Sequence, residues 1–245
     1  MATSQRRNRR GLMWAIIGGV VLAIGIVALL LSGILSQPPT PTASPTPSES
    51  ADPSTDPTEE PADAVVDSSV TDEGWIPEPI TSDPDIYIRA ALAAASTFDT
   101  QESSRNDWLA YLDTWFTPDT RYTSEQDRQD DMQASQLELR QAVVLPEPEW
   151  DSLANEDGRV EASVPGDIRY VEVPDDASGD MRIGTADVVL TFTRSDGSGN
   201  EASYDETVRV SVQVLCGEGS VPTPDSQQQP GDCKVVRYFS GSLEP

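Results

Sequence analysis

"IRAALAAASTFDT", residues 88–100, and "WLAYLDTWFTPDTRYT", residues 108–123, decide the fold class of this chain. In the first stretch Ile88, Ala91, Leu92, Ala95 and Phe98 fall on one helical face. Just upstream, Asp83 is placed as an N-cap and Pro84 at the first helical position, where a missing N–H costs nothing. In the second stretch Trp108, Leu112 and Trp115 share a side, with Leu109 and Phe116 beside them. Ser104, with Asp107 three residues on, marks the start, and Pro118 disfavours continuation. A third helix, weaker and largely exposed, is expected over 125–141, where Met132 and Leu139 have few apolar companions.

From Val143 onward the period moves toward two. Val160, Ala162 and Val164 alternate with polar residues, and so do Val188, Leu190 and Phe192. "DIRYVEV", 167–173, changes phase at Tyr170–Val171, which suggests a bulge. A turn at 195–200 leads past Tyr204 into a long strand with Val208, Val210, Val212 and Val214. "CKVVRYFSGSL" reads as the last strand. Helices first and strands after indicate an α+β domain over residues 83–245, about three N-terminal helices packed on a curved antiparallel sheet.

Upstream, Arg6, Arg7, Arg9 and Arg10 precede residues 11–35, an uncharged run with Trp14 at its start. A helix of that length is about 37 Å long and crosses a bilayer with some tilt. The arginines hold residues 1–10 in the cytoplasm, and the rest of the chain then lies outside a plasma membrane crossed once. A cleaved leader is the competing reading, but its apolar core is normally about 7–15 residues. Ala15, Gly19 and Ala23 form a small-residue face that would permit a homo-oligomer through the span. Ordinary use of small residues in such segments is the plainer account. Residues 36–82, dense in Pro, Ser, Thr and acid, read as a disordered tether, with Trp75, Ile76 and Ile80 near its end available to pack on the domain.

The net charge is −26, with 42 acidic residues, and this argues against nucleic acid as a partner. The absence of histidine removes His-based triads and His metal ligands. Lys234, the only lysine, is the one candidate for a catalytic amine. No phosphate loop or nucleophile elbow occurs, and no motif calls for a cofactor or metal. "DGSGNE", 196–201, spaces Asp, Ser and Asn as calcium loops do, but it lacks the glycine placement and distal Glu and fits a hairpin turn better.

The Ala-rich first helix and the Trp-bearing second one resemble the nuclear-transport-factor-2-like superfamily. With the basic N-terminus, single span and Pro/Thr-rich tether, the chain most resembles its membrane-anchored Gram-positive and actinobacterial members. These include conjugative-transfer channel accessory proteins and proteins associated with lipid-importing Mce systems. The resemblance implies a cone closed on one side by helices, and a non-enzymatic accessory role with protein partners in an envelope transport or conjugation assembly. Enzymes of the superfamily use Asp, His or Tyr inside the cone. Here Asp99, Asp113 and Tyr122 lie near helix ends, and Arg237 interrupts the apolar pattern of the last strand. Arg237, Trp108, Trp115 and Tyr122 are therefore the residues that would line a pocket, should the cone hold a ligand; for Arg237 an outward, acid-paired position is the plainer alternative.

Cys216 and Cys233 enclose "GEGSVPTPDSQQQPGD". Outside the membrane a disulfide is expected, since two cysteines lack the further ligands of a metal site and their spacing differs from that of a C-x-x-C redox pair. It would clamp the base of a solvated loop and leave Pro222–Pro230 free to vary or to touch a partner.

Overall fold

The computed structural model describes residues 64–241. The basic tail, the span at 11–35 and the tether up to residue 63 lie outside the described residues. Among those described, no helix is long and apolar enough to cross a membrane.

Among the described residues, four α-helices and six strands form an α+β domain with a curled antiparallel sheet. Helix α1 is Pro84–Ala94, capped by Asp83, whose carboxylate accepts from the Asp85 and Ile86 amides. Helix α2, Arg105–Asp113, is capped by Ser104, which accepts from the Asp107 amide and donates to its carboxylate. Helix α3, Glu125–Glu138, buries only Ser135 along its length, as its polar composition requires. It runs into a π-helical turn, Leu139–Val143, that inserts Leu139 into the core.

Strands β1 (Phe98–Asp99), β2 (Arg159–Ser163), β4 (Met181–Ser195), β5 (Glu201–Leu215) and β6 (Lys234–Ser240) pair in that order. Strand β3 (Arg169–Glu172) lies beyond β2 on the same edge of β4. β4 and β5 are the spine, paired over their full lengths from Met181↔Leu215 to Ser195↔Glu201. Their turn is fixed by Asp196, whose carboxylate accepts from the Ser198 hydroxyl and from the Ser198 and Asn200 amides. These bonds pull its pKa down to about 2.

The two faces of the sheet bury different sets. Val188, Leu190, Val210, Val212 and Val214 face the helices. Met181, Ile183, Leu215 and Val236 form a smaller cluster on the other side. Gly184 allows α1 to sit close, since a Cβ there would lie 2.8 Å from Ile88 Cδ1 and 2.9 Å from Ile168 Cγ2.

Three expectations change. Glu147–Ala154 is a helix, α4, where period-two patterning suggests extended chain. Pro148 and two acids occupy its first turn, and Trp150 and Leu153, three apart, reach the core. The bulge falls between Gln213 and Val214, not at Tyr170–Val171. β3 pairs regularly, and Tyr170 stays exposed, its hydroxyl donating to Asp85 Oδ2 at 3.0 Å.

Residues 64–82, assigned by composition to the tether, are a folded strap. Val65 bridges Pro79, a 3-10 turn covers Ser68–Glu73, and Gly74 closes it in the left-handed conformation at φ 76°. Trp75 stacks on Tyr111 at 5.0 Å between centroids and donates from Nε1 to Ser103 Oγ at 2.8 Å.

Candidate functional site

The residues placed by sequence around a pocket are not brought together. Trp108 and Trp115 are fully buried in the main core. Trp108 packs with Phe98 and Trp150 at 5.0 and 5.5 Å, and Trp115 lies 5.8 Å from Tyr87. Tyr122 is 39% exposed, and the charge of Asp131 raises its pKa. Arg237 donates from Nε to Glu138 Oε2 at 2.8 Å, and its guanidinium lies over the Phe239 ring. Asp113 pairs with Arg140, burial raising its pKa, and Asp99 accepts from the Gln101 amide.

A polar centre that sequence reasoning did not assemble lies under the strap. Lys234, 1% exposed, and Glu78, 0% exposed, form an ion pair at 2.8 Å. Lys234 Nζ also donates to the Thr114 carbonyl at 2.8 Å and to Thr223 Oγ1 at 2.7 Å. Glu78 Oε1 accepts from the Tyr87 hydroxyl at 2.5 Å and from the Gln228 amide at 3.2 Å. Burial dominates the Lys234 pKa and lowers it, against the opposing pull of Glu78. A lone lysine beginning an apolar strand was the available signal for one partner; nothing local marks Glu78 among 42 acids.

Cys216 and Cys233 are bonded. The loop they close is not left free. Thr223 and Gln228 belong to the polar centre, the Val221 amide donates to Thr117 Oγ1 at 2.9 Å, and the Cys233 amide donates to the Thr81 carbonyl at 2.8 Å. The loop instead joins the strap, the end of α2 and β6.

The open apolar relief lies elsewhere. A groove of about 400 Å³ runs between the segment after α3 and the helix-facing side of the sheet. Val143, Leu145, Leu190, Phe192 and Val208 line it, with Glu206 at its rim, and none of the four sequence-placed pocket residues contributes. Among the described residues no group of His, Cys, Asp or Glu is arranged to hold a metal ion.

No family model matches the chain, and no curated protein matches it. Two solved structures are similar. One is an IcmL-like type IV secretion system protein from Legionella pneumophila, 11% identical, with a TM-score of 0.41 over 66% of this chain and 95% of that one. The other is CagV, a VirB8 homolog of the type IV secretion system from Helicobacter pylori, 15% identical, with a TM-score of 0.33 over 63% and 93%.

Proposed function

We propose that the chain is a non-catalytic, membrane-anchored accessory subunit. Its domain lies outside the plasma membrane and binds protein components of an envelope transport or conjugation assembly. In this reading residues 11–35 span the bilayer once and residues 36–63 carry the domain away from it. The chain is then a nuclear-transport-factor-2-like protein of the Gram-positive, actinobacterial membrane-anchored type.

The observation that carries the reading is how the chemically capable groups are spent. The only lysine and the buried Glu78 are committed to each other and to neighbouring loops, Arg237 is committed to Glu138, and two tryptophans and Tyr87 fill the interior behind the helices. An apolar groove beside the sheet stays accessible, which suits contact with another chain. The disulfide supports placement in an oxidising compartment. The test is affinity purification of the full chain from detergent-solubilised membranes after in-cell cross-linking. Envelope transport components should be recovered; their absence, with a monomeric chain by light scattering, overturns the proposal.

A second reading, a small-ligand-binding cone, is favoured by the groove, whose volume of about 400 Å³ falls in the range of small-molecule sites. Native mass spectrometry separates the two, since a ligand-binding cone should carry a co-purifying small molecule and no protein partner.

A further inference from the structure

Among the described residues, half of β5 has an open edge. β6 pairs with β5 only as far as Ser240↔Val210, after which the Gly241 amide donates to the Arg209 carbonyl at 3.1 Å. In an antiparallel ladder the N–H and C=O of one residue point to the same neighbour, and those of the next residue point to the other. The Arg209 carbonyl faces the β6 side, so the backbone groups of Ser203, Asp205 and Thr207 face that side too. Among the described residues no backbone group pairs with them there. β4 holds the opposite edge along all of β5, which keeps the open half extended.

The groove adjoins this edge. Even-numbered β5 residues point to the helix-facing side, and Glu206, Val208 and Val210 line the groove together with Leu190 and Phe192 of β4. An added strand would set alternate side chains over this apolar surface and the intervening ones beside Asp205 and Thr207.

We propose that β5 from Ser203 to Thr207, with the groove beside it, accepts an extended segment of a partner protein by strand addition, the segment alternating apolar residues with lysine or arginine. This rests on the reading of the domain as a protein-binding module. Charge selects the occupant. Arg209 is already held by Asp187 at 2.7 Å and Glu201 by Arg159 at 2.7 Å, whereas Asp205 and Glu206 have no cationic partner among the described residues. A basic side chain on the face away from the groove meets Asp205, while Glu206 adds its negative charge on the groove side of the same edge. A second copy of this chain would bring its own Asp205 and Glu206 to the same edge. The stretch 36–63 of this chain contains no basic residue and is broken by prolines, which cannot donate to a ladder.

The test is hydrogen–deuterium exchange on the full chain in mild detergent. The probe is an eight-residue peptide of alternating lysine and valine, with a glutamate–valine peptide as control. Slowed exchange over 201–209 with the lysine peptide alone is expected. Thr207→Pro removes an N–H that points away from β4 and should weaken binding at least about tenfold, with exchange in β4 unchanged; Thr207→Ala should bind as the parent chain does. The double substitution Asp205→Lys, Glu206→Lys should reverse the preference between the peptides, which keeps the proposal testable should the proline variant fold poorly. No protection at 201–209, protection located elsewhere, equal response to both peptides, or protection that follows self-association would each overturn strand addition. A Thr207→Pro chain that still captures its envelope partners in full would remove this mode of binding and leave the accessory role standing.

Discussion

Removing the Lys234 ammonium should expose how much the domain relies on its buried polar centre. Lys234→Met keeps most of the side-chain volume. It deletes the 2.8 Å pair with Glu78 and the donors to the Thr114 carbonyl and Thr223 Oγ1. Breaking a buried pair from one side costs about 3–5 kcal/mol, because the remaining charge stays desolvated. Glu78→Leu deletes the same pair from the other side. It also strands the Tyr87 hydroxyl, which now donates at 2.5 Å, and the Gln228 amide. Each stranded buried group costs about 1–3 kcal/mol. With both substitutions no uncompensated charge remains, so the double variant should be more stable than the sum of the single losses implies, by more than about 1 kcal/mol. Urea unfolding in mild detergent, followed through the fluorescence of the buried Trp108 and Trp115, measures all four corners of the cycle. Simple additivity, or single losses under about 1 kcal/mol, would refute the view that this pair is desolvated and coupled.

Four further outcomes are expected. The unreduced chain should weigh about 2 Da less than the reduced one. Replacing both Cys216 and Cys233 by serine should cost about 3 kcal/mol, read as a fall in melting temperature. Gly184→Ala forces a Cβ against Ile88 and Ile168 and should cost about 1–3 kcal/mol in urea melts, with partial recovery when Ile88→Val is added. Stability should also fall with alkali. Burial holds Tyr87, Tyr111 and Tyr238 neutral, with pKa values raised above the ordinary 10.0. Above that value the unfolded chain sheds protons that the folded chain retains. The stabilisation is therefore complete below pH 10.0 and is lost as pH climbs through the raised values. A melting temperature that stays flat or rises across that interval would contradict the assignment.

How much of this was readable from the residues depends on how local each signal is. Asp83–Pro84 and Ser104 with Asp107 fix the starts of α1 and α2 because a cap and its helix lie within four residues. β4 and β5 were legible because alternation persists over long strands. α4 was not, since two inward residues, Trp150 and Leu153, are too few to establish a period between prolines. The strap was hidden by averaging. Its Pro, Asp and Ser content resembles that of the tether, while its attachment depends on Trp75 and Glu78, whose partners lie far along the chain. The cysteine loop was misjudged for the same reason, because Thr223 and Gln228 are ordinary polar residues until the fold sets Glu78 and Lys234 beside them. The groove was out of reach of any pattern, since it depends on where β6 stops relative to β5 and on the path taken after α3.

The burial of the only lysine has a practical corollary for anyone handling this protein. Acylating dyes, biotin esters and amine-directed cross-linkers find no exposed side-chain amine among the described residues, since Lys234 is 1% exposed and capped by Glu78, Thr114 and Thr223. The natively folded domain should be silent to lysine-based mapping of its neighbours, and carboxylate-directed reagents are the appropriate tools for a chain with 42 acids. Acylation at Lys234 would then record how often the strap and the cysteine loop open, which makes one unreactive side chain an internal timer of the domain's breathing.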